Sequence, residues 1–186
     1  MTTKLSVISS GDGPQILHGP TGLSAIVVMG PSGCGKSTLA KSLAKTLGRN
    51  FIEGDDHHPP ANIVKMKAGK PLTDADRLPF LRSVGRQLAR NSPTVASCSA
   101  LSSSHRDVLR SFVDDILFVW PKTDQGELMR RMEEREGHFM PPDLLQNQLS
   151  SLEAPSSNES SLTLDGHLPT QAQVEVVLGY LSALSR

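Results

Sequence analysis

The chain has few cysteines, and their spacing excludes two classes of protein. Its 186 residues include only Cys34 and Cys98, which form neither a CxxC pair nor a zinc-binding spacing. Reduced, unpaired thiols are typical of cytoplasmic proteins, because disulfides are rare in that compartment. We therefore expect a cytoplasmic protein without a disulfide framework and without a cysteine-based zinc site.

The chain also lacks an excess of either charge and any long apolar run. Lys plus Arg and Asp plus Glu each number 19, which gives a formal net charge of zero. This balance argues against a nucleic-acid binder that works through bulk positive charge. No apolar run approaches the roughly 20 residues of a membrane span, and the N-terminus lacks a signal-peptide core. We expect neither a nucleic acid nor a membrane as partner.

Short apolar runs alternate with helical patterns along the rest of the chain. The runs at 24–30, 50–55, 94–99, 115–120 and 161–165 predict five buried strands. Strands that alternate with helices predict βαβ units, hence a three-layer α/β/α fold with a mostly parallel five-stranded sheet. Residues 1–23 have little periodicity and predict a flexible extension. Residues 24–186 then form one domain, a size that suits a single core.

The segment GPSGCGKST, residues 30–38, falls between the first predicted strand and helix. It matches the phosphate-loop pattern G-x-x-x-x-G-K-[ST]. Glycines let the backbone approach phosphate oxygens, and the next helix presents its positive end. We expect Lys36 to contact the β- and γ-phosphates and Ser37 to bind Mg²⁺ directly, with ATP and Mg²⁺ as cofactors. The predicted phosphate-binding residues are Gly30, Ser32, Gly33, Cys34, Gly35, Lys36, Ser37 and Thr38.

Two large classes of nucleotide-binding protein lack support in the sequence. A GTPase would carry an Asn-Lys-x-Asp motif that reads the base, and no such motif is present. A motor ATPase would carry an apolar strand that ends in Asp or Glu, whereas the run ILFVW ends at Pro121. A single small domain with a phosphate loop therefore favours a small-molecule kinase, which needs a base beside the acceptor hydroxyl.

Two polar segments follow the second and third predicted strands. The segment EGDDHHPPANIVKM, residues 53–66, is compatible with a metal site, an acid–base site or a polar turn. The segment CSALSSSHRD occupies residues 98–107. Because ligands bind at the carboxyl ends of parallel strands, we expect both segments to face the phosphate loop.

Three long segments resemble the gluconokinase family. Residues 54–81, GDDHHPPANIVKMKAGKPLTDADRLPFL, are similar to G-D-x-x-H-P-x-x-N-x-x-K-M-x-x-G-x-P-L-x-D-x-D-R-x-P-W-L. CSAL…HRDVLR resembles the family's Cys-Ser-Ala-Leu-Lys…Tyr-Arg-Asp, and REGHFMPPDLLQNQLSSLEAP resembles its lid. The resemblance implies the fold of nucleoside-monophosphate and shikimate kinases. It also implies MgATP-dependent phosphorylation of D-gluconate to 6-phosphogluconate, which feeds the pentose phosphate pathway.

The resemblance also implies roles for individual residues in an acceptor-binding region of about 55–90 and beyond it. Asp55 matches a carboxylate that accepts the proton of the acceptor hydroxyl. Glu53 stands where the family usually has Asp and is expected to hold Mg²⁺ through water. Arginines suit bidentate binding of the gluconate carboxylate. The expected substrate-binding residues are Asp55, His58, Asn62, Lys65, Arg77, Ser99, Ala100, Arg106 and His138.

The lid is expected at about 131–150. Arg131 and Arg135 lie four residues apart and so share a helix face. The resemblance implies that both arginines close over the triphosphate. Arg135 is then expected to be catalytic and Arg131 to bind phosphate, and one of the two is expected to stack on adenine. The alternative is i, i+4 ion pairing on a solvated helix face. His138 and Phe139 would contact gluconate or lock the closed lid.

Besides Glu53, the sequence departs from the family at three acceptor-side positions. Phe80 replaces a common Trp and keeps an apolar ring. Ser102 replaces a common Lys, and His105 replaces a common Tyr. The missing cation leaves two alternatives open: a kinase for shikimate, another sugar acid or a nucleotide, and a non-catalytic nucleotide-binding regulator. Intact Lys36, Ser37 and Asp55 argue against the regulator. Related enzymes are often dimers, so a homodimer is an expectation by analogy.

Overall fold

A computed structural model describes residues 22–134 and 142–184 of the chain. The predicted N-terminal extension lies almost entirely outside these ranges, and so does the middle of the predicted lid. None of the helices that the structure describes is long and apolar enough to cross a membrane.

Five parallel strands form one sheet in the order β2–β3–β1–β4–β5. The strands β1 and β3 are buried along their whole length, because helices cover both faces of a parallel sheet. The predicted α/β architecture with a parallel five-stranded sheet is confirmed. The strands are β1 Ala25–Val28, β2 Asn50–Glu53, β3 Thr94–Ser97, β4 Ile116–Lys122 and β5 Ser161–Asp165.

The described helices begin and end at residues with clear local reasons. Gly48 ends the first helix in a left-handed conformation, with a φ of 61°. Thr73 begins the third through a capping box with Asp76. A 3₁₀ helix, Gly54–His57, follows β2. The α-helices are α1 Lys36–Leu47, α2 Pro60–Lys67, α3 Asp74–Arg90, α4 Ser103–Arg110, α5 Gln125–Glu133, α6 Pro142–Ser150 and α7 Thr170–Leu184.

The apolar side chains form one layer on each face of the sheet. Along β1, Ala25 and Val27 face one layer while Ile26 and Val28 face the other, as the alternation of a strand requires. The helices α3 and α4 cover the first layer, and α1 and α7 cover the second. This sandwich is the predicted three-layer arrangement, and it leaves the carboxyl ends of the strands as the edge for ligands.

The strand order places the phosphate loop at the point where the chain changes direction across the sheet. The strand β1 pairs with β3 on one side and β4 on the other. The segments that follow β1 and β3 therefore run out from neighbouring strands. The amide of Gly30 donates a 3.1 Å hydrogen bond to the carbonyl oxygen of Ser99, which joins the two segments.

A buried ion pair fastens α4 to the segment before β5. Arg106 has no exposed surface, and its guanidinium donates to both carboxylate oxygens of Glu159. The same guanidinium donates to the carbonyl oxygens of Ala100, Leu101 and Glu153, at 3.0–3.3 Å. Burial alone would raise the pKa of Glu159, but the hydrogen bonds and charge of Arg106 lower it. All three guanidinium nitrogens therefore donate to acceptors within the protein.

Removing Arg106 should destabilise the fold. We expect Arg106→Met to lower the free energy of unfolding by about 3–5 kcal/mol, because Glu159 stays buried without its partner. That loss corresponds to a drop of roughly 10 °C in melting temperature for a protein of this size, which differential scanning calorimetry measures.

The matched control is Arg110→Met, one turn later on α4. Arg110 pairs with Asp107 at the surface, where an ion pair contributes about 0–1 kcal/mol. The double variant Arg106→Met, Glu159→Leu should regain part of the lost stability. Equal melting temperatures for Arg106→Met and Arg110→Met would contradict the structural role of the buried pair.

Candidate active site

The phosphate loop turns between β1 and α1 through three glycines with positive φ. The angles are 134° at Gly30, 84° at Gly33 and 86° at Gly35, a region that other residues rarely adopt. At Gly33 a Cβ atom would also lie 3.0 Å from the carbonyl oxygen of Leu128 in α5. Backbone conformation and packing therefore both require glycine at this position, and α5 rests directly on the loop.

Two sources of positive charge lie at the phosphate loop: the Lys36 ammonium group and the N-terminus of α1. Lys36 is the first residue of α1, is 9% exposed, and donates from Nζ to the carbonyl oxygen of Pro31 at 3.4 Å. Its side chain therefore folds back over the loop. The first turn of α1 contains no acidic residue that would neutralise the positive helix end. An ammonium group and a helix N-terminus at one glycine-rich loop suit a phosphate group.

Ser37 is linked to the second strand through Glu53. The Ser37 hydroxyl donates to Oε1 of Glu53 at 3.1 Å, and the hydroxyl of Ser97 donates to the same oxygen. Glu53 is therefore positioned between the phosphate loop and β3. Thr38, the next predicted phosphate contact, lies exposed in the first turn of α1.

The carboxylates and imidazoles at 53–58 do not form a metal cage. In the described ranges, no group of three or more His, Cys, Asp or Glu side chains is arranged to hold a metal ion. The groups that could bind a cation beside the phosphate loop are the Ser37 hydroxyl and the Glu53 carboxylate, which are hydrogen-bonded to each other. This set fits Mg²⁺, which keeps several waters and takes one or two protein oxygens together with substrate phosphates.

Asp55 lies in the 3₁₀ helix immediately after Glu53. Its side chain is exposed, and its carboxylate makes no hydrogen bond to any described residue. It is close enough to His58 for its charge to raise the pKa of that imidazole, against the larger lowering caused by burial. An unpaired carboxylate one strand away from the phosphate loop is free to accept a proton from a bound hydroxyl.

The His58 imidazole is held by contacts with the Phe80 ring and the Asn62 side-chain amide. Its imidazole stacks on Phe80, with centroids 3.9 Å apart, and its Nδ1 lies 3.3 Å from Nδ2 of Asn62. Burial lowers the pKa of His58, so the ring is neutral at pH 7. Because Asn62 donates to Nδ1, the proton of the neutral ring sits on Nε2 and is available to a ligand. Phe80, which stands where the family commonly has Trp, still provides an aromatic surface.

Asn62 and Lys65 of α2 both make hydrogen bonds to α3. The Asn62 amide, 3% exposed, donates to the carbonyl oxygen of Asp76 at 2.8 Å. Lys65 donates to the Asp76 carboxylate at 2.6 Å. That hydrogen bond, with those from Thr73, lowers the pKa of Asp76 to about 2. In this structure these hydrogen bonds dock α2 against α3, and the direct substrate contacts of Asn62 and Lys65 stay predictions.

Arg77 remains the available cation on the acceptor side. It is 7% exposed, and its Nη1 lies 3.8 Å from Oδ1 of Asp74, beyond hydrogen-bonding distance. Its guanidinium makes no hydrogen bond to a described residue. Burial lowers the pKa of Arg77, although not enough to remove its charge. A partly desolvated guanidinium without a tight partner suits the carboxylate of a substrate.

Ser102 and His105 form a single local structure. Ser102 caps α4, because its hydroxyl accepts from the His105 amide while its own amide donates to His105 Nδ1, both at 3.3 Å. The other ring nitrogen, Nε2, lies 3.0 Å from Oδ1 of Asp74. Ser102 and His105, which both depart from the family pattern, therefore act together. They begin α4 and connect it to the beginning of α3.

The segment after β3 is shaped by the backbone of Ser99 and Ala100. The Ser99 carbonyl oxygen accepts from Gly30 in the phosphate loop, and Ala100 is fully buried with a φ of 39°. Arg106, predicted to bind substrate directly, is wholly buried and donates to the Ala100 carbonyl oxygen. That prediction is corrected: the guanidinium is satisfied inside the protein, so Arg106 can only position this segment.

The helices α5 and α6, which include the described part of the predicted lid, pack on the phosphate loop. Leu128 of α5 and Leu145 of α6 form a cluster with Cys34, and all three are buried. Burial raises the pKa of the Cys34 thiol, so its side chain serves as apolar packing. On the same face of α6, Gln148 accepts a 2.7 Å hydrogen bond from the Ser32 amide. Helix α6 therefore contacts a backbone amide of the loop.

Only one of the three predicted polar contacts in the lid can be placed. Arg131 donates to Glu127 Oε1 at 2.6 Å and to the carbonyl oxygen of Gly166 at 2.9 Å. The first contact is the i, i+4 pairing considered as an alternative. The second holds Arg131 against the segment after β5, and its charge also lowers the pKa of Cys34. Arg135 and His138 lie outside the described residues.

Three residues at the site did not emerge from the sequence as functional candidates. Gln148 and Asp74 stand inside the segments that resemble the gluconokinase pattern, so that pattern was a signal for both. Ser97 is one residue before Cys98 and had no such signal. Its contact with Glu53 follows from the parallel register, which pairs these two residues across β3 and β2.

Comparisons with known proteins show which family the chain belongs to. A family profile described as an AAA domain matches residues 26–155. A gluconokinase from Gluconobacter oxydans is 44% identical over 162 residues, which cover 85% of this chain and 91% of that protein. The crystal structure of a gluconokinase from Sinorhizobium meliloti superposes with a TM-score of 0.81 at 45% identity, covering 87% of this chain and 93% of the other.

A more distant match supports the fold alone. Shikimate kinase from Acinetobacter baumannii, in complex with shikimate, has a TM-score of 0.55 at 17% identity, over 87% of this chain and 94% of that one. The first two matches share sequence as well as fold and cover most of the chain. The chain therefore belongs to the gluconokinase family of P-loop kinases.

Proposed function

We propose that this protein transfers the γ-phosphoryl group of ATP to D-gluconate and forms 6-phospho-D-gluconate. The observation that carries the proposal is the exposed, unpaired Asp55 carboxylate one strand away from a complete phosphate loop. The family membership supports gluconate as the acceptor. Both enzymatic alternatives, shikimate and a nucleotide, would need the same loop, so the acceptor side decides between them.

On the nucleotide side, the loop amides, Lys36 and the start of α1 bind the triphosphate. Ser37 would hold the cation directly, and Glu53 would hold it through water. A bound Mg²⁺ would supply charge neutralisation on the β- and γ-phosphate oxygens. The residues present can hold such a cation without further protein ligands, since nucleotide phosphates provide the remaining oxygens.

On the acceptor side, Asp55 accepts the proton of the attacking hydroxyl. Neutral His58 donates from Nε2 to another hydroxyl of the substrate, and its stacking on Phe80 fixes the direction of that donor. Arg77 binds the carboxylate, and Asp74 with His105 limits where the arginine can lie. The backbone of Ser99 and Ala100, supported by Arg106, forms the wall opposite.

The lid completes the site over the nucleotide. Arg131, which donates to the carbonyl oxygen of Gly166 here, would bind phosphate when ATP is present. Arg135 would stabilise charge on the transferred phosphoryl group, and one of the two arginines would stack on adenine. His138 contacts gluconate when the lid closes and excludes water. In the cell, the enzyme acts in the cytoplasm, and its product supplies the pentose phosphate pathway. A homodimer is proposed by analogy with related enzymes.

The acceptor can be tested directly with a coupled assay of ADP release. With MgATP present, we expect turnover with D-gluconate that exceeds turnover with shikimate or nucleoside monophosphates by at least tenfold at equal concentration. The appearance of 6-phosphogluconate confirms the product by mass spectrometry. ATP binding without turnover on any of these acceptors would instead support a non-catalytic regulator.

The role of Asp55 can be tested by removing its charge. We expect Asp55→Asn to lower kcat by about 10²- to 10⁴-fold, the usual contribution of a general base. ATP affinity, measured by isothermal titration calorimetry, should change less than twofold. Asp56→Asn is the matched control, because this neighbouring carboxylate is also exposed. If both variants retain kcat, Asp55 is not the base.

The role of Arg77 can be tested through the KM for each substrate. We expect Arg77→Gln to raise the KM for gluconate by about 10- to 100-fold, because a hydrogen bond to a charged group contributes about 1.5–3 kcal/mol. The KM for ATP should stay within twofold of its original value. Arg82→Gln, an exposed arginine on the same helix, is the control. Equal rises in both KM values would indicate a general defect.

A further inference from the structure

Ser97 is a buried hydroxyl that the proposed mechanism does not use. It is the last residue of β3 and is 1% exposed. Its Oγ donates to Oε1 of Glu53 and accepts from the amide of Gly54 at 3.3 Å. Buried hydroxyls in a strand usually bond the backbone alone, as Thr94 does on this strand through the carbonyl oxygen of Asn50. Ser97 differs because it also donates to a carboxylate.

The Glu53 carboxylate, to which Ser97 donates, also accepts a hydrogen bond from the phosphate loop. Oε1 of Glu53 accepts from Ser97 and, at 3.1 Å, from Ser37. The Ser37 hydroxyl has one proton, and donating it to Glu53 leaves the oxygen lone pairs free for a cation. The orientation of Glu53 therefore decides which way the Ser37 oxygen faces.

Glu53 needs such support because of its length. A glutamate side chain has three rotatable bonds, and ordering it costs up to about 2 kcal/mol of conformational entropy. Only the two hydroxyls hold this carboxylate among the described residues. Gly54, the next residue, packs so closely on β3 that a Cβ would overlap the Ser97 carbonyl oxygen. The backbones of Gly54 and β3 are therefore closely packed against each other. Ser97 lies where its hydroxyl can hold the Glu53 side chain in place.

We propose that Ser97 is a positioning residue for the Mg²⁺-nucleotide complex, acting through Glu53 on Ser37. It touches neither substrate nor metal. It holds the Glu53 carboxylate in the orientation that accepts the Ser37 proton and that faces a hydrated cation. The inference rests on the nucleotide half of the proposed function and is independent of the identity of the acceptor.

The test measures ADP binding by isothermal titration calorimetry at a series of Mg²⁺ concentrations, without gluconate, so that no turnover occurs. For Ser97→Ala we expect the Mg²⁺ concentration that gives half of the Mg²⁺-dependent gain in affinity to rise about tenfold, the usual scale for residues that support a metal ligand. ADP affinity in EDTA should stay within twofold of the parent protein. A merely structural role would weaken binding equally in both conditions.

The control is Thr94→Val, which removes a buried hydroxyl from the same strand at the end remote from the loop. Its Mg²⁺ requirement should stay within twofold of the parent. If Ser97→Ala does not fold, Ser97→Cys keeps nearly the same volume with a weaker donor and should shift the Mg²⁺ requirement in the same direction. A shift below twofold in the folded variant would overturn the proposal.

A double-mutant cycle tests whether Ser97 acts through Glu53. In a Glu53→Ala background, Ser97→Ala should change the Mg²⁺ requirement by less than twofold, because the carboxylate that it positions is gone. The same tenfold shift in both backgrounds would show that Ser97 acts by another route and would overturn the proposal. Since gluconate is absent from these measurements, failure of the gluconokinase assignment leaves their outcome unaffected.

Discussion

The parallel register of three neighbouring strands is the constraint on which the site depends. Val28 of β1 and Glu53 of β2 both pair with Ser97 of β3, so the three strands end at the same level of the sheet. The phosphate loop, the 3₁₀ helix with Asp55 and the segment after β3 therefore begin side by side. A slip of one residue would turn Glu53 to the opposite face and away from Ser37. Nucleotide and acceptor chemistry thus both rely on backbone pairing.

Several polar residues near the site are hydrogen-bonded to other parts of the protein. Asn62 and Lys65 dock α2 on α3, and Arg106 joins α4 to the segment that contains Glu159. A charge or amide in a dry environment is stable only when its donors are satisfied. This requirement explains why Arg106, with five hydrogen bonds inside the protein, is unavailable to substrate. The Arg77 guanidinium, in contrast, makes no hydrogen bond to any residue that the structure describes, and its nearest carboxylate oxygen, on Asp74, is 3.8 Å away.

The departures from the gluconokinase pattern at Ser102 and His105 have one common structural explanation. A serine in place of lysine at 102 removes a cation but creates a helix cap, and the histidine at 105 completes the capping box. The outer nitrogen of His105 then reaches Asp74, beside Arg77. Arg77 of α3 therefore provides a positive charge close to the position of the missing lysine's helix. Loss of the lysine therefore does not by itself indicate a decayed enzyme.

The sequence by itself determined the α/β architecture, the five strands and the phosphate loop, because short apolar runs, helical periodicity and glycine spacing are local signals. Resemblance of the segments at 54–81 and 98–110 was enough to indicate the family. Only the tertiary structure decided which polar residues are free. Arg77 and Arg106 have the same chemistry in the sequence, and burial with Glu159 separates them. Ser97 likewise meets Glu53 only through strand register, since contacts between residues 44 positions apart depend on the fold and not on local sequence.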